Sequence, residues 1–387
     1  MEKLALKMAT VLFIGAWLFI SSACTKKKDE PEGQPPLGDL SPACFQAGAK
    51  GQLLDAEANQ WDGIFDINSD GNLDSWTPSW NDAHVMKLGD KYIMFVSALD
   101  GFMTSGAIPN SPEIKIYRLE SSDGLSWTPN PLTPVFRRST PASNWDGSGV
   151  ETVSVVDYRG ELFMFYKGYA GAYDDFTLYQ IGYAKSTDLG QSWTRVGSSP
   201  LLTRTGTITD FNGSVIGEPS AVVFKDEIYL YFTAVGFHAD IDDADLTPGS
   251  ILQTIGLTRF NGSSWTTPEL VLRPDQSVYP RALSWYGYTT PAPIVIAGVM
   301  HLFVAVANDA TGWKMEKLHH ASSPDGRTNW VQDSQAVFSN SSFTWTNREI
   351  RAPSPVLMGR TLRLYFGGDE AGNLTQAYGV GYADCQL

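Results

Sequence analysis

The feature that most constrains this chain is a strand-rich phrase that returns five times. It is clearest at Gly217-Glu218-Pro219-Ser220-Ala221-Val222-Val223-Phe224, which runs through a polar turn, Lys225-Asp226-Glu227, into Ile228-Tyr229-Leu230-Tyr231-Phe232-Thr233-Ala234. The same order of leading residue, apolar strand, turn and second strand starts at Asp82, Glu151, Thr290 and Ala352, at intervals of 62–72 residues. One such unit cannot bury its apolar faces alone, so neighbouring units must pack on one another. That arrangement also frees a chain of 387 residues from the size limit of a single core. The reading is an all-β fold: a five-bladed β-propeller of four-stranded blades.

A second periodic signal agrees. Ser121-Ser122-Asp123-Gly124-Leu125-Ser126-Trp127 recurs as Ser186-Thr187-Asp188-Leu189-Gly190-Gln191-Ser192-Trp193, Asn261-Gly262-Ser263-Ser264-Trp265 and Asp325-Gly326-Arg327-Thr328-Asn329-Trp330. The second copy resembles the Asp-box of sialidase-like propellers. Asp accepts backbone N–H groups, Gly takes a positive φ and Trp packs between units, so the box is a structural turn. The fifth unit ends after three strands. Ser69-Asp70-Gly71-Asn72-Leu73-Asp74-Ser75-Trp76-Thr77-Pro78 echoes the first box, so this N-terminal segment is expected to close the last blade, with Trp76 in the place of the other box tryptophans.

Residues 1–23 read as a signal peptide. A basic start, Lys3 and Lys7, precedes an apolar run from Ala9 to Ile20 that is short for a membrane span. Ser21-Ser22-Ala23-Cys24 resembles a lipoprotein lipobox, which implies lipidation of Cys24 and anchoring of an exported bacterial protein at a membrane, at the cell surface or in the periplasm. An ordinary cleaved signal is the alternative. Residues 24–43, rich in Lys, Pro and Gly, form a tether, and 44–387 the propeller domain. After Cys24, only Cys44 and Cys385 remain of the three cysteines, and in an exported chain they are expected to pair.

The net charge of −14 argues against nucleic acid as a partner. Three consecutive leading positions carry carboxylates, Asp82, Glu151 and Glu218. Clustering them costs desolvation and repulsion, and paired carboxylates are the usual equipment for cleaving a glycosidic bond. On these acids, on the unit count and on Trp145-Asp146 ahead of Glu151, residues 75–385 resemble the five-bladed propeller glycoside hydrolases: arabinanases, β-xylosidases, invertases and levansucrases. The resemblance implies Asp82 as general base, Glu151 as the residue that tunes pKa and orientation, and Glu218 as general acid. Two departures are visible: the second unit has Glu in place of Asp, and Pro219 follows Glu218 directly. Trp80, His84, Trp145, Tyr169, Tyr173 and Arg351 are candidates for contacting an oligo- or polysaccharide built from neutral arabinose, xylose or fructose. The same scaffold also suits a carbohydrate-binding protein without catalysis. A sialidase-like activity would need an arginine triad, and only Arg351 is placed for one. No cofactor is required. Asp66, Asn68, Asp70, Asn72 and Asp74 have the spacing of a calcium loop, lacking the closing Glu, and the same residues echo the Asp-box. A monomer is expected, touching a membrane only through its lipid.

Overall fold

The computed structural model describes residues 40–54, 77–102, 113–172, 175–207, 209–237, 251–279, 285–309, 314–369 and 378–387. The chain is all-β apart from short helical turns. A helix α1 (Pro42–Ala47) leads to β1 (Lys50–Leu54). Unit one comprises β2 (Thr77–Leu88), β3 (Lys91–Phe102), β4 (Glu113–Ser121) and β5 (Thr128–Pro129). Unit two is β6 (Gly149–Tyr158), β7 (Glu161–Tyr169), β8 (Gln180–Ser186) and β9 (Thr194–Arg195). Unit three is β10 (Val215–Phe224), β11 (Glu227–Phe237), β12 (Ile251–Phe260) and β13 (Glu269–Leu272). Unit four holds β14 (Trp285–Ile296), β15 (Val299–Asp309), β16 (Met315–Ser323), β17 (Val331–Gln332) and β18 (Phe338–Ser339). Unit five has β19 (Glu349–Met358), β20 (Thr361–Asp369) and β21 (Tyr378–Gln386). Units one and two are separate four-stranded antiparallel sheets, while units three and four are joined by a short parallel pairing of β12 with β14. The outer edge of β21 is covered by β1, with Lys50 opposite Ala383. Of the segment expected to take that edge, Thr77 and Pro78 run directly into β2, and Trp76 and the calcium-loop residues lie outside the described residues.

The apolar second strands are the reason the units pack. The fifth residue of each, Phe95, Phe165, Tyr231, Phe303 and Tyr365, is buried and meets an aromatic ring from elsewhere in the chain. Box tryptophans supply four of these contacts, all edge-on: Trp193 on Phe95 at 5.7 Å, Trp265 on Phe165 at 5.6 Å, Trp330 on Tyr231 at 6.4 Å and Trp127 on Tyr365 at 6.0 Å. Each box therefore docks on the preceding unit, and the first box docks on unit five. The fifth contact comes from α1: Phe45 stands edge-on to Phe303 at 5.9 Å. Beside it, Cys44 is bonded to Cys385, Cα to Cα 5.0 Å, across 341 residues of sequence. The boxes themselves are turns, as expected: Asp123 Oδ1 accepts the backbone N–H groups of Leu125 and Ser126, both at 2.8 Å. These bonds to the ionised form hold the Asp123 carboxyl down at about 2.

Near its N-terminal end, every first strand carries the same defect. Pairing with the second strand skips two residues, 82–83, 152–153, 218–219, 290–291 and 352–353. The first skipped residue is left-handed each time: Asp82, Thr152, Glu218, Thr290 and Ala352 have φ of 47–51°. A non-glycine residue there costs on the order of 1 kcal/mol, and a bulge re-aims the side chain it carries. It also releases backbone N–H groups that need acceptors. Hydroxyls of the adjacent units supply them: Ser97 Oγ for Thr152 N, Ser154 Oγ for Ala221 N, Thr233 Oγ1 for Thr290 N, Thr290 Oγ1 for Ala352 N and Ser354 Oγ for Val85 N, at 2.9–3.3 Å. The bonds run from unit one through to unit five and back to unit one.

The bulges correct one expectation. In unit two the left-handed residue is Thr152, so Glu151 stands one position ahead of the true equivalent of Asp82 and Glu218. Its equivalents are Asn81, Gly217, Thr289 and Arg351, the last paired residues before each skip.

Candidate active site

The N-terminal ends of the first strands bring the three carboxylates together. Asp82, re-aimed by its bulge, is almost fully buried. Its Oδ2 accepts a hydrogen bond from Thr152 Oγ1 at 2.8 Å, and its Oδ1 lies 3.2 Å from Arg351 Nη2. Glu151 lies directly across the ladder from Lys167, so their side chains share one face of the sheet. Lys167 Nζ reaches 3.2 Å from Glu151 Oε1 and 2.8 Å from Glu218 Oε1, and sits 4.4 Å above the ring of Tyr179. Glu218 thus points to its neighbours in spite of Pro219, because the bulge absorbs the missing residue. Of the three acids it is the most open, with 14% of its side chain exposed.

Burial pushes the Glu151 carboxyl above its ordinary range. The Lys167 ammonium pulls it back, and the charges of Asp82 and Glu218 push it up again. One oxygen of Glu151 and one of Glu218 (Oε1 and Oε2) are buried without a hydrogen bond among the described residues. Burial and nearby acids likewise raise the phenols of Tyr169 and Tyr179, which stay neutral beside Lys167.

Unit five adds a second charged group. Arg351 lies over the Tyr378 ring at 4.9 Å and 3.7 Å from Glu349 Oε2, which also accepts from Tyr378 Oη at 2.9 Å. Asp369, opposite Glu349 in the ladder, is held by Arg348 at 2.7 Å. Lys167, Thr152, Glu349 and Asp369 were not singled out from sequence. A signal existed for Lys167: the matching second-strand residues are Ser97, Thr233, Ala305 and Gly367, so a cation is unusual there.

The other candidates divide. Arg351 belongs to the cluster. Tyr169 lies against Tyr179 at 5.6 Å but is 2% exposed. Trp80, expected to face a ligand, is completely buried, edge-on to Tyr117 at 6.2 Å between units one and five. Trp145 is stacked on Tyr166 at 5.6 Å, over the bare backbone of Gly168 and Gly182. Trp345 stacks the same way on Phe366 over Gly368 and Gly381, so Trp145-Asp146 is a packing device of the units. Asp146 itself is spent on Tyr166 Oη and Arg195 Nε. His84 Nε2 donates to the Val155 carbonyl, 2.8 Å away, and burial lowers its pKa to about 4, so it is neutral. Tyr173 lies outside the described residues. His319 and His320 point to opposite faces, His319 to Tyr279 Oη and His320 to His301 and Asp333. Among the described residues no group of three or more His, Cys, Asp or Glu is arranged to hold a metal ion. Nor is any described helix long and apolar enough to cross a membrane.

No protein-family model matches the sequence, and no curated protein is detectably similar to it. Solved structures are similar in fold. A family 117 glycoside hydrolase from Zobellia galactanivorans superposes with a TM-score of 0.58 at 14% identity, over 87% of this chain and 90% of that one. A thermostable family 43 glycoside hydrolase gives 0.57 at 13% identity, over 79% and 89%. The chain has the fold of these glycoside hydrolases. An α-L-arabinofuranosidase from Lactobacillus brevis shares the glycoside hydrolase fold at a TM-score of 0.53 and 11% identity, over 78% of this chain and 90% of its own. At such identities the likeness concerns the fold, and the chemistry has to be argued from the cluster itself.

Proposed function

We propose that the five units are the blades of a five-bladed propeller closed by β1, and that its mouth cleaves glycosidic bonds in neutral glycans containing arabinose, xylose or fructose. The observation that carries this reading is the convergence of Asp82, Glu151 and Glu218 from three successive units around shared counter-ions. Glu218, the most open of the three, is the general acid that protonates the leaving oxygen. Asp82 is the general base that takes a proton from the attacking water, and Glu151 tunes Glu218 from behind. The Thr152 hydroxyl and Arg351 guanidinium hold the Asp82 carboxylate in one orientation. The chain acts outside the cytoplasm, tethered through a lipid on Cys24. The arabinofuranosidase structure that shares the fold supports arabinose among these sugars.

A second reading has its own observation. Lys167 forms an ion pair with Glu218, and Asp82 is already engaged by two donors, an arrangement that also suits a protein that binds sugar without cleaving it. Turnover of aryl arabinosides, aryl xylosides and fructans, measured beside calorimetric binding, decides between them. Hydrolysis predicts that Glu218→Gln and Asp82→Asn each lose on the order of 10²–10⁴ in kcat while sugar affinity stays within a few-fold. Binding without turnover of any of these sugars, unchanged by Glu218→Gln, establishes the second reading.

A further inference from the structure

Lys167 occupies a position whose equivalents are uncharged, and it touches two of the three acids at once. Among the described residues, the cations in contact with Asp82, Glu151 and Glu218 are Lys167 and Arg351, and Arg351 also pairs with Glu349, so these acids outnumber their described cations. A buried excess charge is expensive, and taking up a proton reduces it. Glu151 is the place for that proton. It is 2% exposed, whereas Glu218 keeps an open edge and the shorter contact to the ammonium.

We infer that Lys167 links Glu151 and Glu218 into one proton-sharing unit, in which Glu151 stores the proton that Glu218 delivers. The inference rests on the hydrolytic reading above. Lys167 Nζ donates to Glu218 Oε1 at 2.8 Å, and Glu151 Oε1, which makes no hydrogen bond among the described residues, lies 3.2 Å from Nζ, within reach of a rotated ammonium N–H. In the step, Nζ gives one of its protons to Glu218 and, with the lone pair this leaves, takes the Glu151 carboxyl proton. Lys167 remains an ammonium, Glu151 becomes the carboxylate and Glu218 the acid. Glu218 then protonates the departing sugar oxygen as that oxygen's bond to the anomeric carbon breaks, and Asp82 takes the proton of the incoming water. That proton returns through solvent to Glu151. Among the described residues, the surrounding titratable and charged groups include Asp82 on β2, Tyr169 on β7 with Arg138 near it, Tyr179 ahead of β8, and Arg351 on β19 with Glu349 and Tyr378 beside it. The direction of the Glu151 shift agrees with a stored proton.

Two measurements test this. The first is infrared difference spectroscopy of the full chain at pH 7, which reads protonated carboxyls without any turnover. A protonated-carboxyl band present in the wild type and in Glu218→Gln, and lost in Glu151→Gln, is the expected result. A spectrum untouched by Glu151→Gln overturns the proposal. The second uses Lys167→Arg. Arginine keeps the charge but does not release a proton, so a role in charge pairing alone is rescued and a relay is not. The expected result is a wild-type melting profile and unchanged sugar binding, with kcat reduced at least about 100-fold, and a comparable loss in Glu151→Gln. Turnover of Lys167→Arg or Glu151→Gln within about tenfold of wild type sinks the relay. A wild type with no turnover refutes the hydrolytic reading separately, and the infrared result still locates the proton.

Discussion

Asp369 faces Glu349 across β19 and β20, and neither side chain reaches solvent. Burial, chiefly, pushes the Asp369 carboxyl up to about 6 from the ordinary 3.8; Arg348 pulls it back and the charge of Glu349 adds to the rise. A carboxyl raised in the folded state stabilises the fold while it is protonated. That contribution is complete below about pH 3.8 and is lost as pH rises through about 6. Asp369→Asn cannot ionise, so it should flatten the stability profile between pH 4 and 7 and be more stable than wild type at pH 8 by about 1–3 kcal/mol. Thermal melts across that range measure it, and parallel profiles for the two proteins would refute it. At this scale the three acids were visible in the sequence, and the geometry around them was not. Shared acidity aligns Glu151 with Asp82, but the left-handed residue is Thr152, and no local pattern marks a bulge whose left-handed residue is not glycine.

Among the elements, α1 shows what a sequence repeat misses. Four second strands receive a box tryptophan, and the fifth receives Phe45 from a six-residue helix that resembles no box. The ring also meets Phe338 of β18 at 6.3 Å, and Gln46 beside it donates to the Val337 carbonyl. Phe45→Ala should therefore cost about 3–5 kcal/mol in urea unfolding, the usual loss for an aromatic ring deleted from a packed site. A loss below about 1 kcal/mol would mean that α1 merely rests on unit four. The Asp-box turns were legible because they are local: one carboxylate, two N–H groups and a glycine within a few residues. The edge strand was not, since β1 pairs with β21 across more than 300 residues and the box echo near Trp76 offered a competing candidate.

For the whole molecule, the Cys44–Cys385 bond joins the two ends of the described chain. A cross-link enclosing 341 residues removes much of the freedom of the unfolded chain, so Cys44→Ser with Cys385→Ser should lower stability by about 2–5 kcal/mol. Denaturant titration of the oxidised wild type against the double variant checks this, and equal midpoints would show that the ends stay together without the bond. The sequence alone determined the strand-rich repeat, the turns that separate the strands, the pairing of the two cysteines and the presence of three acids at the heads of successive units. These are properties of composition and short-range order, which a linear chain carries openly. Only the tertiary structure decided that Trp80 and Trp145 are packing residues, that residues 50–54 take the last edge, and that Lys167 stands between Glu151 and Glu218. Each of those depends on how far the five bulges turn their side chains and on which unit meets which, and both are settled by hydrogen bonds between residues distant in sequence that run from unit to unit and return to the first.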